Sequence, residues 1–237
     1  MTEALDTSRI SAALSATLSA RVSTNVSAVR REIAAACARA GRDPAGVRLI
    51  AVTKNQDPGV LAALAAAGVS DIGENRLEHQ LGMHDPATAL GLRIHAIGRI
   101  QGRQLAKVIP LSDCLHSLCD PEHLARLVHA CAGRTTPFPV FIQVNTSGEE
   151  AKAGIAPNQL SSLLAAIRGE PALEAVGLMT MAPEGADEAV LRGTFSRLRE
   201  LASEHHLPRL SMGMSQDFAI AIEEGATDVR IGTRLFA

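Results

Sequence analysis

The sequence predicts an α/β protein closed into a single (β/α)8 barrel, on three observations. Short apolar runs recur eight times after residue 45, each followed by a helical stretch. Those stretches, at about 10–15 residues, are long enough for right-handed crossovers between parallel strands. The first strand leads into Thr53-Lys54-Asn55-Gln56-Asp57-Pro58, not the glycine-rich turn of an open dinucleotide-binding sheet. A chain of 237 residues is also near the usual size of such a barrel.

In chain order, residues 1–20 are polar and alanine-rich and read as a flexible or helical extension, with the barrel occupying 21–237. From Ser23 to about Ala40, Val26, Val29, Ile33 and Cys37 share one helical face, and Gly41 follows as a stop. This is an extra helix ahead of the first strand. The strands are RLIAVT, SDIG, RIHAIG, CLHSL, FPVFIQVN, AVGLMT, RLSMGM and DVRIGT, the fourth being the least distinct. Between them, Asp57-Pro58 and Asp120-Pro121 read as helix caps with preset first turns, ended by Gly68 and Gly133. Ser215 reads as the cap of a later helix that Gly225 closes.

Composition narrows the function. Hydrophobic residues at 46% and charged residues at 20% suit a globular core. A formal net charge of −2 without a lysine or arginine block excludes the usual nucleic-acid footprint. No run approaches the roughly 20 apolar residues that span a bilayer, and the start of the chain does not read as a secretory signal. The expectation is a cytoplasmic protein with neither nucleic acid nor membrane as partner. Cys37, Cys114, Cys119 and Cys131 form no C-x-x-C pair and read as buried thiols, and His116 beside two of them has no metal-ligand spacing.

In a barrel of this kind chemistry gathers at the carboxyl ends of the strands. Lys54, one of only three lysines among 23 basic residues, ends the first strand. Alternation puts it on one face with Ile50 and Val52, where burial would depress its pKa and free a nucleophilic amine. In DVRIGT the same alternation turns Val229 and Ile231 toward the helices and Arg230 into the barrel. The loops after strands seven and eight are the habitual phosphate site of such barrels. Here both bring glycines, with Ser211, Ser215 and Thr233 hydroxyls nearby. His95 reads either as a hydrogen-bonded core histidine or as a group at the mouth. His205-His206, Lys107 and Lys152 read as exposed charges, with Lys152 near enough to the NTSGEE loop to face the mouth.

An imine-forming lysine after strand one and a phosphate cradle after strands seven and eight describe a pyridoxal-phosphate site. The segments LIAVTKN, DIGENRLEH, HAIGRIQGRQ, VFIQVNTSGEEAKAGI, VGLMTMAP and LSMGMSQDFAIAIEEGATDVRIGTRLFA resemble the pyridoxal-phosphate homeostasis family. The resemblance runs over nearly everything after residue 25. It implies a monomeric barrel like the N-terminal domain of alanine racemase, with pyridoxal 5'-phosphate (PLP) held by Lys54 as an internal aldimine. It implies phosphate contacts from Ser211, Met212, Gly213, Gly232 and Thr233, Arg230 toward the ring nitrogen or phosphate side, and Asn75 and His95 lining the pocket. It further implies storage and delivery of PLP to apoenzymes. The chain departs from the family pattern at Arg76, at Ile94 and over Gln101-Gly102-Arg103-Gln104.

The alternative is a PLP-dependent racemase of the alanine racemase type, which needs a second base on the opposite face of the substrate. In those enzymes that base is a tyrosine, presented with help from a further β domain. This sequence has no tyrosine and ends shortly after the eighth strand. The expectation is a carrier without dedicated turnover. A Schiff-base aldolase and a non-catalytic regulator are further alternatives, the first separated by colour and the second by binding that survives loss of Lys54.

Overall fold

The computed structural model describes residues 3–149 and 153–237. Helix α1 (Glu3–Arg39) leads into β1 (Arg48–Val52), α2 (Val60–Ala66), β2 (Asp71–Glu74), α3 (Leu77–Ala89) and β3 (Arg93–Ala96). Then come α4 (Leu105–Val108), β4 (Cys114–Leu118), α5 (Leu124–Ala130), β5 (Phe138–Gln143), α6 (Leu160–Arg168) and β6 (Leu173–Met179). Helix α7 (Glu188–Glu204), β7 (Arg209–Ser211), α8 (Phe218–Glu223), β8 (Asp228–Ile231) and α9 (Thr233–Phe236) complete the chain. The strands pair in parallel in sequence order, and β8 closes on β1 with Ile50 opposite Arg230. All eight sequence-predicted strands are present, the indistinct fourth among them.

Period-2 alternation decides what each strand residue meets. Leu49, Ala51, Ile72, Ile94, Ala96, Leu115, Leu210, Val229 and Ile231 join the apolar layer between strands and helices. Their neighbours fill the barrel: Ile50 and Val52 from β1, and a small cluster of Cys114, Phe141 and Met179. The polar side chains of Asp71, His95, His116, Ser211, Asp228 and Arg230 are buried on the same inward positions. The expected outward turn of Val229 and Ile231 and inward turn of Arg230 are both observed.

Two caps differ from expectation. Asp57 does not cap α2 through its side chain; its carbonyl receives the Val60 N–H at 3.0 Å, completing a turn ahead of the helix. Ser215 does not cap α8, which begins at Phe218; its hydroxyl instead receives the Gly232 N–H at 3.3 Å and ties the β7 loop to the β8 loop. By contrast Asp120 does cap, accepting from Glu122 N–H at 2.9 Å. Helix α1 also runs continuously back through the extension to Glu3. Residues 14–21 bury no side chain, so that stretch carries no apolar stripe for periodicity to reveal.

Helix α1 packs on α2, α8 and α9. Its Asn25 side chain donates to the carbonyls of Leu235 at 3.2 Å and Ala237 at 3.0 Å, and Glu32 pairs with Arg234. The helix therefore clamps α9, and with it the Gly232–Thr233 loop. Among the described residues no helix is long and apolar enough to cross a membrane.

Candidate functional site

At the carboxyl ends of the strands, β1 leads into a turn closed by the Gln56 N–H donating to the Thr53 carbonyl at 2.9 Å, with Asn55 at φ 67°. This turn lifts Lys54 off the strand. Lys54 is exposed, which corrects the expectation that burial would desolvate its amine. Its Nζ makes no hydrogen bond or ion pair among the described residues. The turn abuts the β8 loop, because β1 pairs with β8 and a Cβ on Gly232 would stand 3.5 Å from Val52. The backbone that carries Lys54 and the final loop are thus neighbours.

A second polar cluster fixes that turn. The buried carboxyl of Glu74 accepts from the Thr53 hydroxyl and lies 2.7 Å from His79 Nδ1, while His79 Nε2 donates to the Gln56 carbonyl at 2.9 Å. Burial raises the Glu74 pKa, partly offset by the Thr53 and His79 contacts. Glu74 stands out in the sequence with Asn75 at the end of the second strand; His79, five residues on in the first turn of α3, was not singled out.

The loops after β7 and β8 approach each other closely. Gly213 has φ 94°, and a Cβ there would lie 2.7 Å from Ala221 Cβ, so only glycine fits. The N–H groups of Gly213, Ser215 and Gln216 have no acceptor among the described residues, and Thr233 opens α9 with its N–H outside the helical ladder. The Thr233 hydroxyl is exposed and equally unengaged. On the other side, Asn75 Oδ1 is a buried acceptor without a partner. Gly98 lets the β2 and β3 loops meet there, since a Cβ would stand 2.3 Å from the Asn75 carbonyl oxygen. Unused amides, a free hydroxyl, an orphaned acceptor and a primary amine on loops at one end of the barrel fit a phosphorylated aldehyde with polar ring substituents.

Three other expected contacts lie elsewhere. Met212 is fully buried in the layer under the helices, and its N–H is spent on the Asp228 carbonyl at 3.1 Å. Ser211 is fully buried inside the barrel, with His116 Nδ1 at 2.7 Å and Arg230 Nη1 at 2.5 Å on its hydroxyl. It points down into the barrel because β7 alternation places it inward. His95, only 2% exposed, does not line the mouth: its Nε2 meets Asp71 Oδ1 and its Nδ1 meets His116 Nε2, both at 2.8 Å. It is the hydrogen-bonded core histidine of the first reading.

Arg230, 4% exposed, donates to Ser211 and, through Nη2, to the Thr180 carbonyl at 3.0 Å. Desolvation lowers its pKa to about 10, against the opposing charges of Asp217 and Asp228, so it remains a cation at neutral pH. At the opposite end, burial alone would raise Asp71, yet hydrogen bonds from His95 and Ser70 and the charge of Arg93 hold it well below the usual carboxylate range. Asp71 was missed in the sequence, and His116 was weighed only as a metal ligand and set aside; alternation applied to SDIG and CLHSL turns both inward.

His95, Cys114 and His116 bring potential ligand atoms within 4.8 Å of one another. Both rings are already bonded, however, and burial pushes the Cys114 thiol up to about 12, so this is a packed core cluster. A cleft of about 630 Å3 lies at the amino-terminal end of the strands, lined by Arg30, Arg48, Arg93 and Arg209 beside Asp71. Arg93 is turned onto Asp71 and Arg209 onto Asp228. The unengaged groups lie at the other end, which is where the site is placed. Lys152 lies outside the described residues.

The family model described as "Alanine racemase, N-terminal domain" matches residues 24–237, which defines the class of barrel. An alanine racemase from Corynebacterium glutamicum shares the fold at a TM-score of 0.69 and 17% identity, covering 92% of this chain and 60% of that one. The chain is 40% identical over 214 residues to the pyridoxal phosphate homeostasis protein of Pseudomonas aeruginosa, covering 90% of this chain and 93% of that protein. It is also similar to PipY of Synechococcus elongatus, solved with PLP bound, at a TM-score of 0.80 and 28% identity, covering 91% and 100% of the two chains. The chain belongs to the pyridoxal phosphate homeostasis protein family.

Proposed function

We propose that this protein binds PLP at the carboxyl-terminal mouth of the barrel, with the Lys54 amine as the point of covalent attachment. The observation that carries the reading is that β1, which ends just before the unengaged Lys54, runs beside the Gly232–Thr233 loop, in a chain whose relative PipY is solved with PLP bound. When bound, the cofactor supplies an electrophilic aldehyde on an electron-poor ring.

The chain's own groups divide the remaining work. The Gly213 and Thr233 amides and the Thr233 hydroxyl donate to the phosphate, and Gly232 keeps the backbone close. Asn75 Oδ1 accepts a hydrogen bond that no described residue supplies. Arg230 keeps the N–H groups that Ser211 and Thr180 leave over for the ring side. Glu74 and His79 hold the Lys54 turn in place.

We further infer storage and delivery to PLP-requiring apoenzymes, as a cytoplasmic monomer without a dedicated substrate. The interior beneath the mouth supports this. Asp71, His95, His116, Ser211 and Arg230 are all bonded to one another, leaving no free base among them to serve a substrate's second face. Four free thiols suit a reducing compartment. The test is to incubate the loaded protein with amino acids and, separately, with a PLP-free aminotransferase. Restored aminotransferase activity without amino-acid turnover is expected. Sustained racemisation or decarboxylation would replace the carrier reading with the racemase alternative.

A further inference from the structure

The interior chain admits one arrangement of protons that satisfies every contact. The Asp71 carboxylate is ionised and only accepts, so His95 Nε2 carries a hydrogen toward it across 2.8 Å. From the other end, Arg230 Nη1 can only donate to the Ser211 oxygen at 2.5 Å, so the Ser211 hydrogen goes to His116 Nδ1, and the hydrogen of His116 sits on Nε2, facing a bare His95 Nδ1 at 2.8 Å. Burial keeps His116 neutral, leaving its Nδ1 as an acceptor for the Ser211 hydroxyl at 2.7 Å. The Ser211 oxygen keeps its lone pairs for Arg230 Nη1. Every donor therefore points the same way, from the guanidinium below the mouth to the carboxylate at the far end of the barrel. Turning any one member round would set two hydrogens or two lone pairs face to face, inside a core where an unmade bond is costly.

The rings are held as firmly as the protons. His116 stacks on Phe141 with centroids 4.3 Å apart and meets His95 edge-on at 5.0 Å. Arg230 is gripped at both terminal nitrogens, by Ser211 and by the Thr180 carbonyl, whose own hydroxyl donates to the Val144 carbonyl at 2.9 Å. Rotation of the guanidinium would break both grips.

We propose that His116, which touches no part of the mouth, is a positioning residue that turns the Ser211 lone pairs toward Arg230 and so fixes the guanidinium as a directed donor beneath the bound cofactor. This inference rests on the PLP reading for its consequence but not for its geometry. His95 and Asp71 serve it by setting the tautomer of His116. Without His116, Ser211 can turn its hydrogen elsewhere, and Arg230 keeps only its grip on Thr180.

Two measurements test it. In the protein without cofactor, nitrogen-15 correlation spectra are expected to show both His95 and His116 as Nε2–H tautomers at pH 7. Exchange of the Arg230 Nη hydrogens with water is expected to be about tenfold faster in His116→Phe, the effect of one lost hydrogen bond. His116→Gln keeps one acceptor and one donor in line and should restore slow exchange. In the loaded protein the absorption band of the bound cofactor should shift in His116→Phe and return toward wild type in His116→Gln. A Nδ1–H tautomer on either histidine, or unchanged Arg230 exchange in His116→Phe, overturns the proposal. If His116→Phe fails to fold, the wild-type tautomers and the His116→Gln spectrum still decide it. Failure of the wild-type protein to take PLP would sink the cofactor reading alone, whereas normal loading with an unshifted band in His116→Phe would sink this inference alone.

Discussion

Replacing Asp71 by Asn removes the ionised acceptor of His95 at the floor of the barrel while leaving its shape. The His95 bond is buried and charge-assisted, and its loss is worth about 1.5–3 kcal/mol. The Arg93 pair adds less, at most about 1 kcal/mol, because that side chain is half exposed. The expected destabilisation is therefore roughly 2–4 kcal/mol at pH 7. Its pH dependence has a definite sign. The folded pKa of Asp71 lies below the unfolded value of about 3.9, so its contribution is complete above that value and falls away as pH drops toward the folded pKa. Urea unfolding of wild type and Asp71→Asn should differ by the full amount at pH 7 and by clearly less at pH 3. A difference under about 0.5 kcal/mol at pH 7, or one unchanged at pH 3, would refute the assignment of Asp71 as the ionised end of the chain.

Further outcomes follow from the mouth. Gly213→Ala adds a Cβ 2.7 Å from Ala221 Cβ at a positive φ, and should cost about 2–4 kcal/mol in urea unfolding; a neutral result would mean the β7 loop shifts freely. Thr233→Ala removes one hydroxyl contact and should weaken PLP binding by about 1 kcal/mol, roughly fivefold in an equilibrium titration, without altering stability. Glu74→Gln leaves the Thr53 contact with a partner but unsettles His79, and should slow covalent loading of PLP more than it weakens phosphate binding, measured by stopped-flow absorbance; equal effects on both would count against its role in holding the Lys54 turn.

The barrel was legible because alternation and punctuation act locally. Each strand's outward residues had to be apolar to meet a helix, and Gly68, Gly133 and Gly225 take the positive φ that ends a helix. The site was legible only in part. Lys54, Gly213, Gly232 and Thr233 announce themselves as unusual residues at strand ends. Ser211 and Met212 belong to the same segment, yet alternation sends one into the barrel and the other under the helices, and neither fate shows in the loop motif. The interior role of Asp71 and His116 was not legible because each is an ordinary polar residue in a short strand until the closed barrel brings both against His95. Exposure of Lys54 was hidden for a different reason: β1 ends at Val52, and the turn that follows, with Asn55 at a left-handed φ, carries Lys54 off the strand.

The most direct measurement is to add PLP to the purified protein, reduce with borohydride and map the modified peptide by mass. With no Trp or Tyr in the sequence, a visible band from the bound cofactor stands on almost no protein background. The account predicts a yellow protein, one equivalent of reduced adduct on Lys54, and loss of that adduct in Lys54→Ala. A colourless mixture, or an adduct on Lys107 or Lys152 with Lys54 unmodified, would contradict it.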